Sequence, residues 1–345
     1  LLCIMEGVFT EEARELGIPV TIIPQEKRWD LSVLSKVKKF INNCGCDLVH
    51  CHGARANYIS LFIRGGVKVP MITTLHSDYK LDFKDNPRKQ LIYTPINAFA
   101  LRRYKHILAV TKAFKYMLML RGFKEERIDV IYNGIDFSQE LQTYDMYTFF
   151  KNINVPHDLN KKYVGIAARL FAVKGVNVFL DMAKIIADKR EDIDFIILGN
   201  GEMWQQCQDF IKENKLENRV YMAGQVTDPV MMNSYYKYID VNTLTSYSES
   251  FPYALLEGAR CKCATVATAV GGIPEMIIDG ESGCLVQSGD SKALAECVEM
   301  LCDKDDIRIR YGVNFYERAK ENFSSQAMAN THKKIYEKII KENVK

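Results

Sequence analysis

The sequence contains no apolar run long enough to cross a bilayer and no strong excess of either charge. Within its 345 residues, no stretch approaches the ~18 consecutive apolar residues that a transmembrane helix requires. A net charge of +3 with 26% charged residues excludes an acidic or basic tail that would by itself select nucleic acid as a partner. The 48% of apolar residues is sufficient for the cores of two domains of ordinary size.

Cys-x2-Cys pairs, the commonest signature of a zinc site, are absent from a chain that has ten cysteines. The closest pairs are Cys44 with Cys46 and Cys261 with Cys263, each separated by one residue. A chain of this length builds its core without disulfides, and buried thiols behave as small apolar groups. We therefore expect reduced cysteines, a cytoplasmic location and no metal site.

The charged residues are unevenly distributed between the two parts of the chain. Residues 1–150 hold 21 Lys and Arg against 16 Asp and Glu, whereas the remaining residues hold 25 against 27. A mildly basic first part favours an anionic surface or an anionic acceptor as its partner. Scattered, solvated lysines explain the same difference equally well.

Short apolar segments alternate with amphipathic segments along almost the whole chain. The apolar segments have the length of strands, and the amphipathic ones have the 3.6-residue periodicity of helices. Strands that alternate with such helices form parallel sheets through right-handed crossovers. The pattern predicts strands at 18–24, 46–52, 70–78, 105–111, 162–170, 192–201, 219–226 and 263–272. It predicts helices at 30–45, 56–66, 86–104 and 176–189.

The alternation is interrupted at residues 137–162, a polar and aromatic segment with weak periodicity. We place a domain junction there, which predicts a first domain at 1–155, a second at 156–322 and a C-terminal helix at 323–345. Both domains should be doubly wound α/β domains. In such domains ligands bind in the loops that follow strands, and a ligand shared by two domains binds in the cleft between them.

The segment 249–257, ESFPYALLE, places two glutamates around the start of a predicted helix. One interpretation is structural, with Ser250 as the helix cap, Pro252 in the first turn and Glu257 as a solvated residue. The other is a phosphate site, because a helix N-terminus presents unpaired N–H groups and the positive end of its dipole. Eight residues are not a whole number of helical turns. Glu249 and Glu257 could therefore contact opposite ends of a nucleotide-sugar.

Two further loops follow strands of the second domain. In AARLFAVKG, Arg169 ends a strand and Lys174 closes the loop, so two cations could neutralise a diphosphate. In ILGNGE, Gly199 and Gly201 would let the backbone approach a ligand, although the full dinucleotide-binding fingerprint is absent. Solvated cations and a tight turn are the simpler explanations of these loops. No Asp-x-Asp follows a strand, and the Asp-Ile-Asp at 192–194 precedes one and is expected at the surface.

Together these segments resemble the family 4 glycosyltransferases of GT-B fold. The resemblance rests on ESFPYALLEGARCKCATVATAVGGIPEMIIDGESGCLV, which is similar to the family's donor-site segment, and on DLVHCHG, TTLHSD, VIYNGID, AARLFAVKG and ILGNGE in the family's order. It implies two Rossmann-like doubly wound domains facing across a cleft, with the C-terminal helix crossing back to pack on the first domain. It also implies a bacterial enzyme of cell-surface polysaccharide or glycolipid synthesis.

The resemblance implies a role for each matching residue. Glu249 would contact hydroxyls of the transferred sugar, and Glu257 the ribose hydroxyls. Arg169 and Lys174 would hold the diphosphate. The implied donor-binding set is Arg169, Lys174, Gly199, Gly201, Glu249, Phe251, Tyr253, Ala254 and Glu257. The implied catalytic set is His76, Glu249, Arg169 and Lys174, with His52 and Asn133 on the acceptor side of the cleft.

The chain departs from the family pattern at two places. Where the family has Gly-x-Pro, this chain has Lys262-Cys263-Ala264, so Lys262 would have to adopt a backbone conformation that glycine takes freely. Family members also begin with a strand, a glycine-rich loop and a helix that are not visible before Leu1. We therefore expect the first part of the first domain to be missing from this sequence.

The sequence predicts a retaining, hexosyltransferase-type enzyme that moves a sugar from a nucleoside-diphosphate donor, such as a UDP-sugar, to a hydroxyl of a glycan or lipid-linked acceptor. It predicts no metal and no other cofactor, no nucleic-acid partner, and a cytoplasmic location with peripheral contact to the inner membrane leaflet. A GT-B nucleotide-sugar epimerase and a non-catalytic GT-B binding protein are the alternatives. A dehydrogenase is disfavoured because neither half has the complete dinucleotide fingerprint.

Overall fold

A computed structural model describes residues 1–25, 30–81 and 86–344, and its contacts divide the chain into two compact units. Unit 1 comprises Leu1–Ala109, Leu118–Asp129 and Lys333–Lys345. Unit 2 comprises Val110–Met117 and Val130–His332. Each unit is built on a parallel sheet with helices packed on it, so the expected α/β class with two Rossmann-like domains is confirmed.

Unit 1 contains a four-stranded parallel sheet of order β3-β4-β5-β6 and a two-stranded parallel pair, β1 with β2. Helix α2 places Val33, Val37 and Ile41 on one stripe, which packs against Ile59 and Ile63 of α3. The strands are β1 (Leu2–Cys3), β2 (Thr21–Ile22), β3 (Val49–His52), β4 (Met71–Leu75), β5 (His106–Ala109) and β6 (Ile128–Val130). The helices are α1 (Val8–Glu15), α2 (Ser32–Asn43), α3 (Gly53–Ile63) and α4 (Pro87–Arg103), whereas α5 (Lys112–Leu120) is divided, with its residues up to Met117 in unit 2.

Unit 2 contains a six-stranded parallel sheet of order β12-β11-β10-β7-β8-β9. The strand order reverses at β7, so the loops after β7 and β10 lie at the switch point where ligands bind in open α/β sheets. The strands are β7 (Lys162–Ala167), β8 (Ile193–Leu198), β9 (Val220–Gly224), β10 (Val241–Leu244), β11 (Ala264–Thr268) and β12 (Cys284–Val286). The helices are α6 (Met146–Asn152), α7 (Val176–Ala187), α8 (Trp204–Glu213), α9 (Pro229–Tyr238), α10 (Tyr253–Arg260), α11 (Ile273–Met276), α12 (Ser291–Asp303), α13 (Asp305–Asn322) and α14 (Ser325–Val344).

The two units divide the chain earlier than the junction expected within 137–162. Phe149 and Phe150 of α6 are fully buried and pack in one cluster with Tyr163 and Tyr235. Aromatic side chains that bury so much area fix their segment to the core they fill. The segment therefore belongs to unit 2, which takes in the chain from Val130 to His332.

The second half of α14 belongs to unit 1, from Lys333 onward. Ile335 and Ile339, which lie about one turn apart on the same face of this helix, are buried there. The Tyr336 hydroxyl lies 2.5 Å from His50 Nδ1, and Lys338 pairs with Asp129 at 3.4 Å. The helix is thus held by both apolar and polar contacts.

The expectation that the Asp-Ile-Asp at 192–194 lies at the surface is right for Asp192, which is exposed, and wrong for Asp194. Asp194 does not lie at the surface but in the buried strand β8, where it is 1% exposed. Its carboxylate is bonded by Lys161 at 2.9 Å and by Arg219 at 2.8 Å. A buried charge is tolerated when such partners compensate for the lost hydration.

The departure at Lys262 is accommodated as the sequence requires. Lys262 has φ 57°, so the lysine does adopt the left-handed conformation that glycine takes freely, at a cost of about 1–2 kcal/mol. All ten cysteines are free thiols. Among the described residues, no helix combines the length and the apolar character needed to cross a membrane.

Candidate active site

The loop after β7 presents the two predicted cations in different surroundings. Arg169 is exposed, and its guanidinium lies 5.4 Å from the centroid of the Phe171 ring. Lys174 is partly buried, and its Nζ lies 2.6 Å from Glu249 Oε1. The sequence grouped these cations as a diphosphate clamp, whereas the structure joins Lys174 directly to the glutamate expected to contact the sugar.

The carboxylate of Glu249 is the centre of a small polar cluster. Its Oε1 accepts hydrogen bonds from both Lys174 Nζ and the Ser246 hydroxyl, the latter at 2.7 Å. The Glu249 side chain is 8% exposed and that of Lys174 is 20% exposed. The Thr245 hydroxyl donates to the Lys174 and Gly175 carbonyls at 3.1 and 2.9 Å. The loop after β7 and the loop after β10 are therefore fixed to each other.

A second contact holds the loop that carries Glu249. Gly271 has φ 55°, and a Cβ built on it would lie 1.7 Å from the Glu249 carbonyl oxygen. The next residue, Gly272, donates its N–H to the Ser250 carbonyl at 3.1 Å. A side chain at Gly271 would push this loop away, because neither its conformation nor its space is available to other residues. The Gly-Gly pair in TAVGGIPE thus determines where Glu249 lies.

The start of α10 differs from the structural interpretation of ESFPYALLE. Pro252 is the N-cap, with no side-chain cap hydrogen bond, so Ser250 is not the helix cap. Phe251 is 3% exposed and packs against Tyr132 and Phe323, with ring centroids 5.7 and 5.3 Å away. Only the Phe251 backbone remains to contact a ligand, because its side chain belongs to the core. Tyr253 at the helix start is 48% exposed.

A cavity of about 300 Å³ lies at the carboxyl ends of β7, β8 and β9. Tyr236 donates its hydroxyl to Glu257 Oε2 at 3.4 Å inside it. Burial raises the pKa of the Glu257 carboxyl, against the lowering effects of Tyr236 and Arg260. The lining residues are Ala167, Ala168, Arg169, Leu198, Gly199, Asn200, Gln225, Val226, Met232, Tyr236, Ala254 and Glu257.

The two predicted glycines play different parts at this cavity. Gly199 lines it, with φ 138°, and a Cβ there would lie 1.8 Å from the Ala168 carbonyl oxygen. Gly201 instead packs against the Leu170 carbonyl, where a Cβ would come within 2.5 Å. Of the predicted donor residues, the cavity therefore brings together Arg169, Gly199, Ala254 and Glu257.

The predicted residues of the first domain separate into two groups. His52 is the last residue of β3 and His76 directly follows β4 in unit 1, and His52 Nδ1 lies 3.0 Å from His76 Nε2. Their rings are stacked, with centroids 5.3 Å apart. His50, which the sequence did not single out, contacts Thr74 Oγ1 through its Nε2 at 2.7 Å. Asn133, expected on the acceptor side, belongs to unit 2.

Glu275 is a residue of this region that is not among those predicted from the sequence. Its carboxylate accepts the backbone N–H groups of Lys112 and Ala113 at 2.9 and 2.8 Å, and the Tyr132 hydroxyl at 2.8 Å. Burial, followed by the bond to Glu275, raises the pKa of Tyr132. Arg318 donates to the Glu275 carbonyl at 2.8 Å. The signal was present in GGIPE, where an acid follows the glycines that hold the Glu249 loop.

Within the described ranges, no group of three or more His, Cys, Asp or Glu side chains is arranged to bind a metal ion. The polar groups that could contact a ligand in unit 2 are instead cations, carboxylates and backbone N–H groups. Such groups suit an anion flanked by hydroxyl-bearing rings.

Two family descriptions match most of the chain. Residues 149–322 match "Glycosyl transferases group 1", and residues 5–139 match "Glycosyltransferase Family 4". The chain is 24% identical over 323 residues to the N-acetyl-alpha-D-glucosaminyl L-malate synthase of Bacillus anthracis, covering 91% of this chain and 81% of that protein.

A second relative comes from Campylobacter jejuni. It is the N,N'-diacetylbacillosaminyl-diphospho-undecaprenol alpha-1,3-N-acetylgalactosaminyltransferase, 24% identical over 352 residues, with 96% of this chain and 89% of that protein covered. Among solved structures, HepE of Anabaena in complex with UDP-glucose has a TM-score of 0.78 and 22% identity. The match covers 98% of this chain and 90% of HepE, and at this identity it shows a shared fold.

Proposed function

The chain belongs to the group 1 glycosyltransferases and has their GT-B fold, and from this membership we propose that it is a retaining, metal-independent hexosyltransferase. The donor is a nucleoside-diphosphate sugar, and a UDP-sugar in the first instance. The acceptor is a hydroxyl group of a glycan or of a lipid-linked sugar. The enzyme works in the cytoplasm, at the inner leaflet of the membrane.

The observation that carries this proposal is the cavity of unit 2 and the groups around it. A cavity of about 300 Å³ at a switch point is the usual place for a nucleotide in an open parallel sheet. Glu257 inside it is an acceptor for ribose hydroxyls. The N-terminus of α10 next to Ala254 offers unpaired N–H groups to a phosphate. That HepE of Anabaena was solved with UDP-glucose supports a UDP-sugar as the first donor to test.

The proposed chemistry needs the charge of the departing diphosphate to be stabilised. Arg169 is exposed at the rim of the cavity, where its guanidinium can bind two phosphate oxygens. Lys174 adds a second cation, which is paired with Glu249. We propose that the diphosphate shares or takes over this ammonium when the donor binds, so that Glu249 becomes available to the sugar.

The surroundings of Glu249 support a role in orientation rather than as a nucleophile. One of its oxygens already accepts bonds from Lys174 and Ser246, and such bonds lower the nucleophilicity of a carboxylate. Retention is then achieved by attack on the face that the diphosphate leaves. The bond from the anomeric carbon to the phosphate oxygen breaks, the bond to the acceptor oxygen forms, and the acceptor proton passes to the departing phosphate.

We further propose that His76 contacts the transferred sugar and that His52, bonded to it at 3.0 Å, fixes its ring. His52 and Asn133 keep the acceptor-side role that the family resemblance implies. The Campylobacter relative is by its name an enzyme of a diphospho-undecaprenol-linked sugar, which supports a lipid-linked acceptor here.

The test separates the two glutamates. Thermal shifts with UDP, GDP and ADP and their sugars identify the donor, because a ligand that binds only the folded state raises its stability. Glu257→Gln should then weaken binding of the free nucleoside diphosphate, since a ribose hydroxyl loses its charged acceptor. Glu249→Gln should leave that binding within about twofold yet lower kcat for the sugar donor, if its contact tightens in the transition state.

Three outcomes would contradict the proposal. If both variants behave like wild type, residues 249–257 are an ordinary helix start with no role in donor binding. Epimerised nucleotide-sugar formed without any acceptor would identify an epimerase. Nucleotide binding without turnover of any donor and acceptor pair would identify a binding protein.

A further inference from the structure

Helix α4 (Pro87–Arg103) has an unusual charge distribution for a surface helix. It carries four cations, Arg88, Lys89, Arg102 and Arg103, and no acidic residue. All four are exposed, and among the described residues no carboxylate forms an ion pair with them. The two pairs lie at opposite ends of the helix, about 22 Å apart at 1.5 Å per residue.

The space between the two cation pairs is occupied by exposed apolar side chains. Leu91 is 79% exposed, Ile92 50% and Phe99 49%, and Pro95 between them is also exposed. At 100° per residue, Arg88, Leu91, Ile92, Pro95, Phe99, Arg102 and Arg103 fall within an arc of about 120°. We call this arc the α4 stripe.

The opposite face of α4 anchors the helix in unit 1. Ala100 and Leu101 are buried there, and Asn97 accepts a hydrogen bond from Asn57 of α3 at 3.1 Å. The side chain of Asn86 caps the helix by accepting the Lys89 N–H at 3.0 Å. The α4 stripe is therefore held outward by a fixed helix, and three large apolar side chains remain in water.

We propose that the α4 stripe is a docking surface for an anionic lipid bilayer. A helix with a narrow apolar face and basic flanks lies in the membrane interface, its apolar residues among the acyl chains and its cations among the head groups. The absence of any acid on α4 gives the charge complementarity that an anionic leaflet requires. Arg103, whose guanidinium lies 4.8 Å from the Phe99 ring centroid, can reach a phosphate while the ring enters the lipid.

A second copy of the chain fits this surface less well. Two α4 stripes facing each other would bring three cations against three, without a carboxylate on either helix, and like charges at an interface are repulsive. A lipid surface, in contrast, provides both phosphates and acyl chains over the whole length of the helix. This docking surface rests on the proposed location at the membrane and identifies the part of unit 1 that makes the contact.

The experiment measures flotation of the full chain with vesicles of phosphatidylcholine alone and with phosphatidylglycerol added. Wild type should bind the anionic vesicles and be released by high salt. Arg88→Gln with Lys89→Gln should lower the partition coefficient by about fivefold per charge removed. Leu91→Ser with Phe99→Ser should lower it at least about tenfold, because two large apolar groups no longer leave water.

Matched controls come from unit 2. Leu159→Ser with Tyr147→Ser removes two apolar groups that are 84% and 71% exposed, and Lys212→Gln with Lys292→Gln removes two exposed cations. Both controls should stay within about twofold of wild type. Equal losses in controls and α4 variants, or no binding of wild type to anionic vesicles, would overturn the proposal.

Two further measurements, of oligomeric state and of transfer to a soluble acceptor, distinguish the possible outcomes. A dimer of wild type that Leu91→Ser with Phe99→Ser converts to monomer, without vesicle binding, would assign the α4 stripe to a second copy and overturn the membrane assignment. Transfer to a soluble acceptor should be unchanged in the α4 variants. Vesicle binding needs no donor, so a failure of the proposed glycosyl transfer leaves it measurable and a failure of docking leaves transfer measurable.

Discussion

The ion pair between Lys174 and Glu249 allows a quantitative prediction. We consider Lys174→Met, Glu249→Gln and the double variant. The charges are 2.6 Å apart with side chains 20% and 8% exposed, so losing one partner leaves a nearly buried charge. Breaking a buried pair costs about 3–5 kcal/mol. Because Ser246 still bonds the same oxygen and some water reaches Lys174, we expect about 2–3 kcal/mol for Lys174→Met.

The double variant isolates the interaction. Glu249→Gln keeps an acceptor for Ser246 and should cost about 1–2 kcal/mol. The double variant should cost less than the sum of the two single variants by about 1–2 kcal/mol, since neither charge is then left alone. Urea unfolding of the four proteins measures this. Additive effects within about 0.5 kcal/mol would show that the pair does not couple and would refute the reasoning.

The same variants test whether the diphosphate takes over Lys174. If it does, Lys174→Met should weaken nucleoside-diphosphate binding by about 1.5–3 kcal/mol, the size of a bond to a charged group. If the ammonium stays on Glu249, binding should be unchanged and only turnover of the sugar donor should fall. Isothermal titration of UDP followed by steady-state kinetics distinguishes these results.

Three further predictions follow from contacts around the site. Gly271→Ala should destabilise the protein by about 2–5 kcal/mol, from the left-handed backbone and the clash with the Glu249 loop. Gly280→Ala, with φ 74° and open space around the built Cβ, should cost only about 1–2 kcal/mol in the same urea experiment. Burial raises the pKa of the Glu257 carboxyl above its usual value of 4.5. The folded state therefore loses stability relative to the unfolded state as the pH rises from 4.5 to the pKa of the folded protein. Glu257→Gln should therefore stabilise the protein above that window while weakening nucleotide binding, and a variant less stable at neutral pH would contradict this. Glu275→Gln should lower stability by about 1.5–3 kcal/mol and Tyr132→Phe by about 1 kcal/mol in thermal unfolding; equal losses would show that the backbone N–H bonds contribute nothing.

The sequence could predict the fold because its local patterns agree with the tertiary structure. The run 193–198 is apolar except for Asp194, and it is buried throughout as strand β8. The pattern could not show that Asp194 has partners at Lys161 and Arg219, since neither lies on its own strand. The two units also divide the chain before the expected junction, because Phe149 and Phe150 pack in unit 2 and give no periodic signal in a helix as short as α6.

The residues of the candidate site could be predicted where a single loop or helix start identifies them, but the contacts between distant segments could not. Arg169, Gly199 and Glu257 were named from loops and helices that follow strands, and they line one cavity. The pairing of Lys174 with Glu249 was not predictable, since residues so far apart in sequence meet only through the sheet. Phe251 stood inside the motif, but burial of its side chain depends on Tyr132, which stands in the separate motif VIYNGID, and on Phe323, which stands in none.

The order of strands in unit 2 has a consequence for folding during synthesis on the ribosome. Strand β7 pairs with β8, which follows it directly, but its other edge pairs with β10, where Val241 meets Val164 more than seventy residues later. At a synthesis rate of ~5–20 residues per second, about 4–15 s pass between the synthesis of β7 and that of its partner β10. During this interval an apolar strand with unpaired N–H and C=O groups is exposed to other nascent chains. Slowed synthesis across residues 170–240 should therefore increase the need for chaperones more than slowed synthesis after β12.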